Sequence, residues 1–242
     1  MKVCSVSYLN SIPFVYGLEN STLDIHLSTA IPSECASKLL NKEVDIALVP
    51  VAVIPEMDYS KIISSFCISC DGPVQTVCLF SDCPLDEIDT IYLDYHSKTS
   101  NALVQILCRE YWKITPKFID SEHNFEEKIG GRTAGVIIGD RANAYRDSYD
   151  HIHDLCGEWK KYTSLPFVFA CWVSNSPLNE EKVLSFINAL AFGIDNLEEA
   201  IKSKSHLFDT KIDKTNYLTK VINYHLDDDK RKSMQLFFKL LK

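Results

Sequence analysis

The 242-residue sequence contains no stripe of Lys and Arg, no long apolar run, no internal repeat and no low-complexity tract. Each absence excludes something. With 33 acidic against 25 basic residues, a formal net charge of −8 and no basic patch, nucleic acid is a poor partner. An anionic ligand has to be gripped locally rather than drawn in by a general field. The longest apolar stretches, around residues 47–55 and 165–173, fall far short of the roughly 20 residues a membrane helix needs, so no membrane span is expected. The opening Met1-Lys-Val-Cys-Ser-Val-Ser7 enters a β-like run with neither the apolar core nor the cleavage pattern of a signal peptide, and the expectation is a cytoplasmic protein.

Cysteine is abundant, at nine residues, but its pattern is not that of a metal centre. Cys67-Ile-Ser-Cys70 followed by Cys78 and Cys83 superficially resembles a four-thiolate site. Yet Cys67 and Cys78 lie inside apolar runs, where cysteine behaves as a small hydrophobe. An odd, scattered set also argues against a disulfide framework, so reduced thiols are expected in a cytoplasmic setting. His151-Ile-His153 is a lone pair in a loop or edge strand, and no metal is expected there.

The most informative segment runs from Tyr92 to Leu107: a short strand, the turn Asp94-Tyr-His-Ser-Lys-Thr-Ser100, then an apolar-periodic helix. Ser97, Thr99 and Ser100 offer hydroxyls where a helix beginning near Ser100 presents free backbone N–H groups and the positive end of its dipole. Such a turn suits a carboxylate or phosphate. The plainer reading is that Thr99 or Ser100 caps the helix.

Around this segment, strands and helices alternate. Residues 2–7 and 22–27 read as strands, 33–41 as a helix capped by Ser33, and 44–49 as a buried strand. A second alternating series comprises 90–93, the helix after Ser100, 116–119, a helix near 122–129, 134–138 and a helix from Asp140. Alternation implies mainly parallel sheets flanked by helices. The β-like tracts 72–81 and 165–173 are natural crossing strands between two lobes, and 179–242 reads as helical throughout and packed on the first lobe, with the charged run 227–232 as a solvated helix start. The fold expected is α/β and two-lobed, residues 1–82 plus 172–242 forming one lobe and 83–171 the other, with a ligand cleft at strand ends and helix starts. Ser11 reads as the cap of a helix led by Ile12-Pro13, which leaves Asn10 without a capping role, and Pro50-Val-Ala52 forms a turn whose apolar face suits a ring.

Ser7-Tyr-Leu-Asn-Ser-Ile-Pro13, Asp45-Ile-Ala-Leu-Val-Pro-Val51, Gly72-Pro-Val-Gln-Thr-Val77 with Phe80-Ser81, Asp94 to Ser100, Ile138-Gly-Asp140 and Trp159 with Thr163 to Trp172 closely resemble the chorismate dehydratases of the futalosine route to menaquinone. The motifs occur in the right order over residues 2–175. The resemblance implies a periplasmic-binding-protein type II fold, a cytoplasmic lyase without cofactor or obligate protein partner, and loss of water from chorismate to give 3-[(1-carboxyvinyl)oxy]benzoate. It also implies Ser7, Tyr8, Asn10, Ser11, Pro50, Gln75, Thr76, Ser97, Thr99 and Ser100 as substrate-binding residues, with Asn10 and Asp140 as the catalytic pair.

Acid and base roles stay open. Asn10 can orient a hydroxyl but accepts no proton; Asp140 can be a base or a helix cap; His96 has a suitable intrinsic pKa but also reads as a loop residue. The substrate's own enolpyruvyl carboxylate can take the ring proton, a route favoured by abundant donors and the want of a dedicated base. Arg132 and Arg141 read as surface charges. Two alternatives share the fold: a binding protein for a small carboxylate, and the sister 1,4-dihydroxy-6-naphthoate synthase. The latter family carries an Ile-His-Glu type tract where this chain has Ile138-Gly139-Asp140, which argues against it.

Overall fold

A computed structural model describes residues 1–241. In chain order the elements are β1 (Lys2–Val6), α1 (Ile12–Glu19), β2 (His26–Ala30), α2 (Pro32–Leu40), β3 (Ile46–Pro50), β4 (Lys61–Cys70), β5 (Val77–Ser81), β6 (Thr90–Leu93) and α3 (Lys98–Ile106). They continue with β7 (Lys117–Asp120), β8 (Thr133–Ile138), β9 (His151–Asp154), α4 (Leu155–Thr163), β10 (Phe167–Ser174), α5 (Glu180–Asp195), α6 (Leu197–Lys204), α7 (Lys214–Asn216), β11 (Ile222–His225) and α8 (Asp228–Leu240). The described residues divide into two compact units: residues 1–69, 168–209 and 213–227, and residues 70–167, 210–212 and 228–241. Segments 70–82 and 228–241, which the sequence pattern grouped with the first lobe, thus pack within the second unit.

The first unit is built on a six-stranded sheet in the order β11-β4-β10-β3-β1-β2. β1 runs parallel to both β2 and β3, while β10 is antiparallel to β3 with Trp172 opposite Leu48. Phe14 of α1 packs edge-on against Trp172 and Tyr224, and Trp172 in turn meets Phe186 of α5. Fully burying each such side chain contributes about 1.5–3 kcal/mol. Helices α1 and α5 approach so closely that a Cβ on Gly17 would sit 2.0 Å from the Ala189 carbonyl oxygen, and one on Gly193 1.8 Å from that of Pro13. Only glycine fits at either position.

The second unit has a five-stranded sheet, β7-β6-β8-β5-β9. β6 is parallel to β7 and β8, so the C-terminal ends of β6 and β8 lie side by side; β5 is antiparallel to β8 and β9. Cys78, Phe80, Phe125, Ile129, Ile137 and Ala142 form its core beneath Tyr92, Tyr95, Tyr145 and Tyr149. Trp159 is wholly buried, donates from its indole to Ser233 Oγ at 3.0 Å, and packs edge-on with Phe167 and Phe237.

Several elements differ from the sequence pattern for identifiable reasons. Pairing with β1 draws β2 to His26–Ala30 rather than 22–27. Helix α2 starts at Pro32 with Ile31 at its N-cap, so Ser33 caps nothing. The tract 72–81 is no continuous strand: Gly72 and Gln75 take positive φ, at 124° and 69°, and only Val77–Ser81 is extended. In place of helices at 122–129 and from Asp140 there are 3-10 turns, Phe125–Lys128 after the left-handed Asn124 and Gly139–Tyr145. The C-terminal region contains a strand, β11, whose alternating burial puts Ile222 and Tyr224 inward, and Lys230 of the charged run is buried at 2% exposure. Cys70 and Cys156 form a disulfide, against the expectation of reduced thiols, because the end of β4 meets the first turn of α4. His151 and His153 lie on β9, an edge strand.

Replacing Gly17 or Gly193 by Ala is expected to cost about 3 kcal/mol, the upper range for overpacking, because backbone oxygens cannot yield as a side-chain end can. Urea denaturation checks this, with a lowered midpoint at unchanged slope.

Candidate functional site

In the first unit the candidate residues follow the C-terminal ends of the adjacent strands β1 and β3. After Val6 the chain turns through exposed Ser7 and half-buried Tyr8 into a 3-10 turn, Leu9–Ser11, and then into α1 with Pro13 in its first turn. Ser7 N–H donates to Ala30 O at 2.9 Å, tying the turn to β2. Ser11 does not cap α1. Its hydroxyl lies 2.6 Å from Val6 O and 2.8 Å from Tyr8 O and donates back into the turn it closes. Asn10 is left with a different character: its side-chain oxygen is buried with no hydrogen-bond partner among the described residues. An unmet acceptor of this kind is costly, by about 1–3 kcal/mol, and is kept where a ligand supplies the partner. Pro50 ends β3 fully within the core, and its carbonyl side leads into the 3-10 turn Val51–Glu56.

In the second unit the turn 94–100 takes a form the sequence only half disclosed. The helix begins at Lys98 rather than near Ser100, and its cap is Ser97, not Thr99 or Ser100. Ser97 Oγ accepts from Ser100 N–H and from Ser100 Oγ, each at 3.3 Å. Neither bond uses the Ser97 hydroxyl proton, which remains a donor. Thr99 and Ser100 are buried at 0% and 1% exposure. Capping and ligand donation are therefore compatible in one hydroxyl.

Gln75 and Thr76 sit not on a crossing strand but in the bend before β5. Gln75 is clamped by its backbone: its N–H donates to Asp154 Oδ2 at 2.6 Å and its carbonyl accepts from Arg146 Nη2 at 3.0 Å. Asp154 also caps α4 through Cys156 and Gly157 N–H, so one carboxylate sets a helix start and a left-handed turn together. The Gln75 side chain stays exposed. Thr76 O accepts from Gly139 N–H at 2.8 Å, which brings the Gln75–Thr76 bend against the turn carrying Asp140. Gly139 has φ 70°, a conformation that a β-carbon resists, and Asp140 follows it half-buried in the first turn of the 3-10 segment. A residue with a β-carbon, histidine included, would be strained at this φ.

His96 is half-buried beside Tyr95, with ring centroids 4.3 Å apart. Burial, helped by the nearby Arg141 and His123, pushes its pKa down to about 4. The imidazole is neutral near pH 7 and a weak base.

Sequence reasoning missed the charged group behind this turn. Asp94 is fully buried, and burial pushes its pKa up to about 6 against the opposing pull of Arg141 and of the N–H groups of His96 and Ile138. Arg141, read from sequence as a surface charge, is only 28% exposed and bridges Asp94 and the buried Glu126. Arg132 does lie at the surface, paired with Asp89 at 2.6 Å. No local spacing announces a pair 47 residues apart; the one clue was an acid directly after an apolar strand. Among the described residues no group of three or more His, Cys, Asp and Glu is placed to hold a metal ion, and no helix is long and apolar enough to cross a membrane.

Comparison with known proteins agrees with this anatomy. A chorismate dehydratase from Thermus thermophilus is 25% identical over 232 residues, covering 88% of this chain and 85% of its own. A protein from Archaeoglobus fulgidus of known crystal structure superposes with a TM-score of 0.78 at 15% identity, over 99% of this chain and 95% of that one. A Candida albicans protein described as having the generic periplasmic binding protein fold superposes at 0.73 with 17% identity, over all of this chain and 89% of that one. The fold is thus of the periplasmic-binding-protein type. The family model for menaquinone biosynthesis matches residues 1–242, and the chain belongs to that family.

Proposed function

We propose that the protein is a chorismate dehydratase, which removes water from chorismate to form 3-[(1-carboxyvinyl)oxy]benzoate for menaquinone synthesis. The observation that carries this reading is the unmet, buried acceptor of Asn10 within a motif shared with the dehydratases, alongside the similarity to the Thermus enzyme. The substrate bears two carboxylates and a ring hydroxyl. Three demands follow: hold the anions, orient the ring, and pass one proton from carbon to the leaving oxygen.

The residues divide these tasks by their chemistry. Ser97, Thr99 and Ser100, at the start of α3, suit a carboxylate, since the hydroxyls and the helix dipole both favour negative charge. Gln75 and Thr76 add polar contacts from a bend whose backbone is pinned. Ser7, Tyr8, Ser11 and Pro50 stand with Asn10 at the C-terminal ends of the paired strands β1 and β3. Asn10 accepts from the ring hydroxyl that departs. In the elimination, the C–H electron pair at the ether-bearing carbon becomes a ring double bond, the neighbouring C–O bond breaks, and the proton removed from that carbon is passed on to the departing hydroxyl, which leaves as water. The low pKa of His96 makes it a poor acceptor for the carbon-bound proton. The substrate's enolpyruvyl carboxylate is no stronger a base, but it lies in the same molecule as that proton and takes it by proximity, leaving Asp140 to orient groups nearby.

Incubation with chorismate is expected to yield a product lighter by one water, with the ultraviolet spectrum of a benzoate. Unchanged chorismate together with thermal stabilisation would instead indicate a binding protein, and the reading would fall. Asn10→Ala is expected to lower kcat about 100-fold with little loss of stability, the scale seen when one preorganised hydrogen-bonding group is removed. Steady-state kinetics with a melting curve check this. Asp140→Asn and His96→Gln each should retain more than about 10⁻⁴ of the wild-type kcat; a larger loss in either folded variant would reject the substrate as its own base.

A further inference from the structure

Asp94 and Arg141 form a clasp that spans two candidate turns. Asp94 ends β6, and its carboxylate accepts from three donors: His96 N–H at 2.8 Å through Oδ1, and Ile138 N–H at 2.9 Å and Arg141 Nη2 at 2.5 Å through Oδ2. The first donor lies in the turn that carries Ser97 to Ser100. The second is the last residue of β8, next to Gly139 and Asp140. The backbone carbonyl of Asp94 adds two more ties, accepting from Ser97 N–H at 3.4 Å and from Asn101 Nδ2 at 2.8 Å. One residue thus holds the cap of α3, a side chain of its first turn and the neighbouring strand end.

Arg141 supplies the countercharge. Its other guanidinium nitrogen, Nη1, bonds Glu126 Oε1, and its plane lies over the Tyr95 ring at 5.3 Å. The groups facing the clasp are therefore Glu126 from the Phe125–Lys128 turn, Arg141 from the Gly139–Tyr145 turn, and Tyr95 and His96 from its own turn, with His123 bonded to Tyr95 Oη at 2.9 Å. Arg141 Nε is buried without a hydrogen-bond partner among the described residues. A buried charge set of this kind is expensive unless the donors are held in place, and breaking one member costs far more than the pair contributes.

We propose that Asp94 is a positioning residue for the dehydratase reaction, locked by Arg141, and that it sets the spacing between the hydroxyl turn at Ser97 to Ser100 and the turn at Asp140. This rests on the function proposed above. The clasp touches no substrate; it acts through the backbone of His96, Ser97 and Ile138. It works only while Asp94 is ionised, because a protonated carboxyl loses its charge-assisted bond to Arg141.

The pH consequence separates organisation from stability. The folded-state pKa of Asp94, about 6, lies above the ordinary 3.8, so the stability that this group contributes is fully present below about pH 4 and is lost as pH rises through about 6. Acidification therefore loosens the clasp without costing stability through Asp94.

The test compares the wild type with Arg141→Lys, Arg141→Gln and Asp94→Asn. With chorismate, Arg141→Gln is expected to lower kcat/KM about 10- to 100-fold, the worth of one charge-assisted hydrogen bond, with Arg141→Lys recovering part of the loss. The acid limb of the wild-type profile is expected near pH 6. In Arg141→Gln it moves to higher pH, because the cation opposing protonation is gone; in Asp94→Asn it disappears. A wild-type limb and wild-type kcat/KM in Arg141→Gln would overturn the proposal. If the wild type itself leaves chorismate unchanged, the functional reading fails and the clasp is judged by native-state hydrogen exchange. The His96 and Ile138 amides should then exchange at least about 10-fold faster in Arg141→Gln at unchanged tertiary circular dichroism, and unaltered protection would overturn it.

Discussion

A single buried carboxylate organises the most function-bearing part of the second unit. Asp94 has no exposure to solvent, and a carboxylate in that setting costs several kcal/mol unless each lone pair is met. Its donors come from two backbone segments and one guanidinium, so the residue is satisfied only when the β6 turn, the end of β8 and the Gly139–Tyr145 turn are all in register. The sheet makes this possible. Because β6 and β8 are adjacent and parallel, their C-terminal ends emerge side by side, and the turns that follow are neighbours although more than 40 residues separate them in sequence. Seating Ser97 as the cap of α3 is a downstream effect of the same arrangement, since Asp94 O receives Ser97 N–H and the Asn101 side chain.

The first unit reaches a comparable result by packing. Gly17 and Gly193 let α1 and α5 approach to backbone contact, which anchors the helix that follows the Ser7–Ser11 turn. Ser11 spends its hydroxyl on Val6 and Tyr8 carbonyls, closing the turn, and Asn10 is left with a buried acceptor that nothing among the described residues meets. A rigid turn bearing one unmet polar atom is the arrangement expected where ligand, not protein, completes the hydrogen bonding. In a chain of net charge −8, an anionic ligand depends on local donors such as the hydroxyls and N–H groups at the start of α3 rather than on a favourable overall field.

The proposed chemistry is consistent with these two styles of construction. Elimination to an aromatic product needs grip and orientation more than a strong base, and the titratable groups near the hydroxyl turn are tuned accordingly. His96 is held neutral by burial, while Asp94 is occupied by Arg141 and by backbone N–H groups. Gly139, with its positive φ, lets the chain turn between Ile138 and Asp140 in a way that a histidine at the same position would resist.

Alternation of strand and helix was legible from the sequence because hydrophobic period and turn residues are local properties: the ends of β1, β3 and β6, the two-sheet α/β class and the family motifs all follow from short windows. The hydroxyl turn before α3 was legible for the same reason, although not which hydroxyl caps. What tertiary structure decided is non-local. Residues 122–129 and 140–145 carry helical patterns but form 3-10 turns once Phe125, Ile129 and Ala142 are drawn into one core, and 222–225 becomes a strand because a sheet edge was there to pair with it. Arg141 looked like one more surface cation until the fold set it against Asp94 and Glu126. The sequence by itself determined which residue types stand in each turn; only the fold, by placing parallel strand ends side by side and withdrawing them from water, decided which charges and amides must satisfy one another.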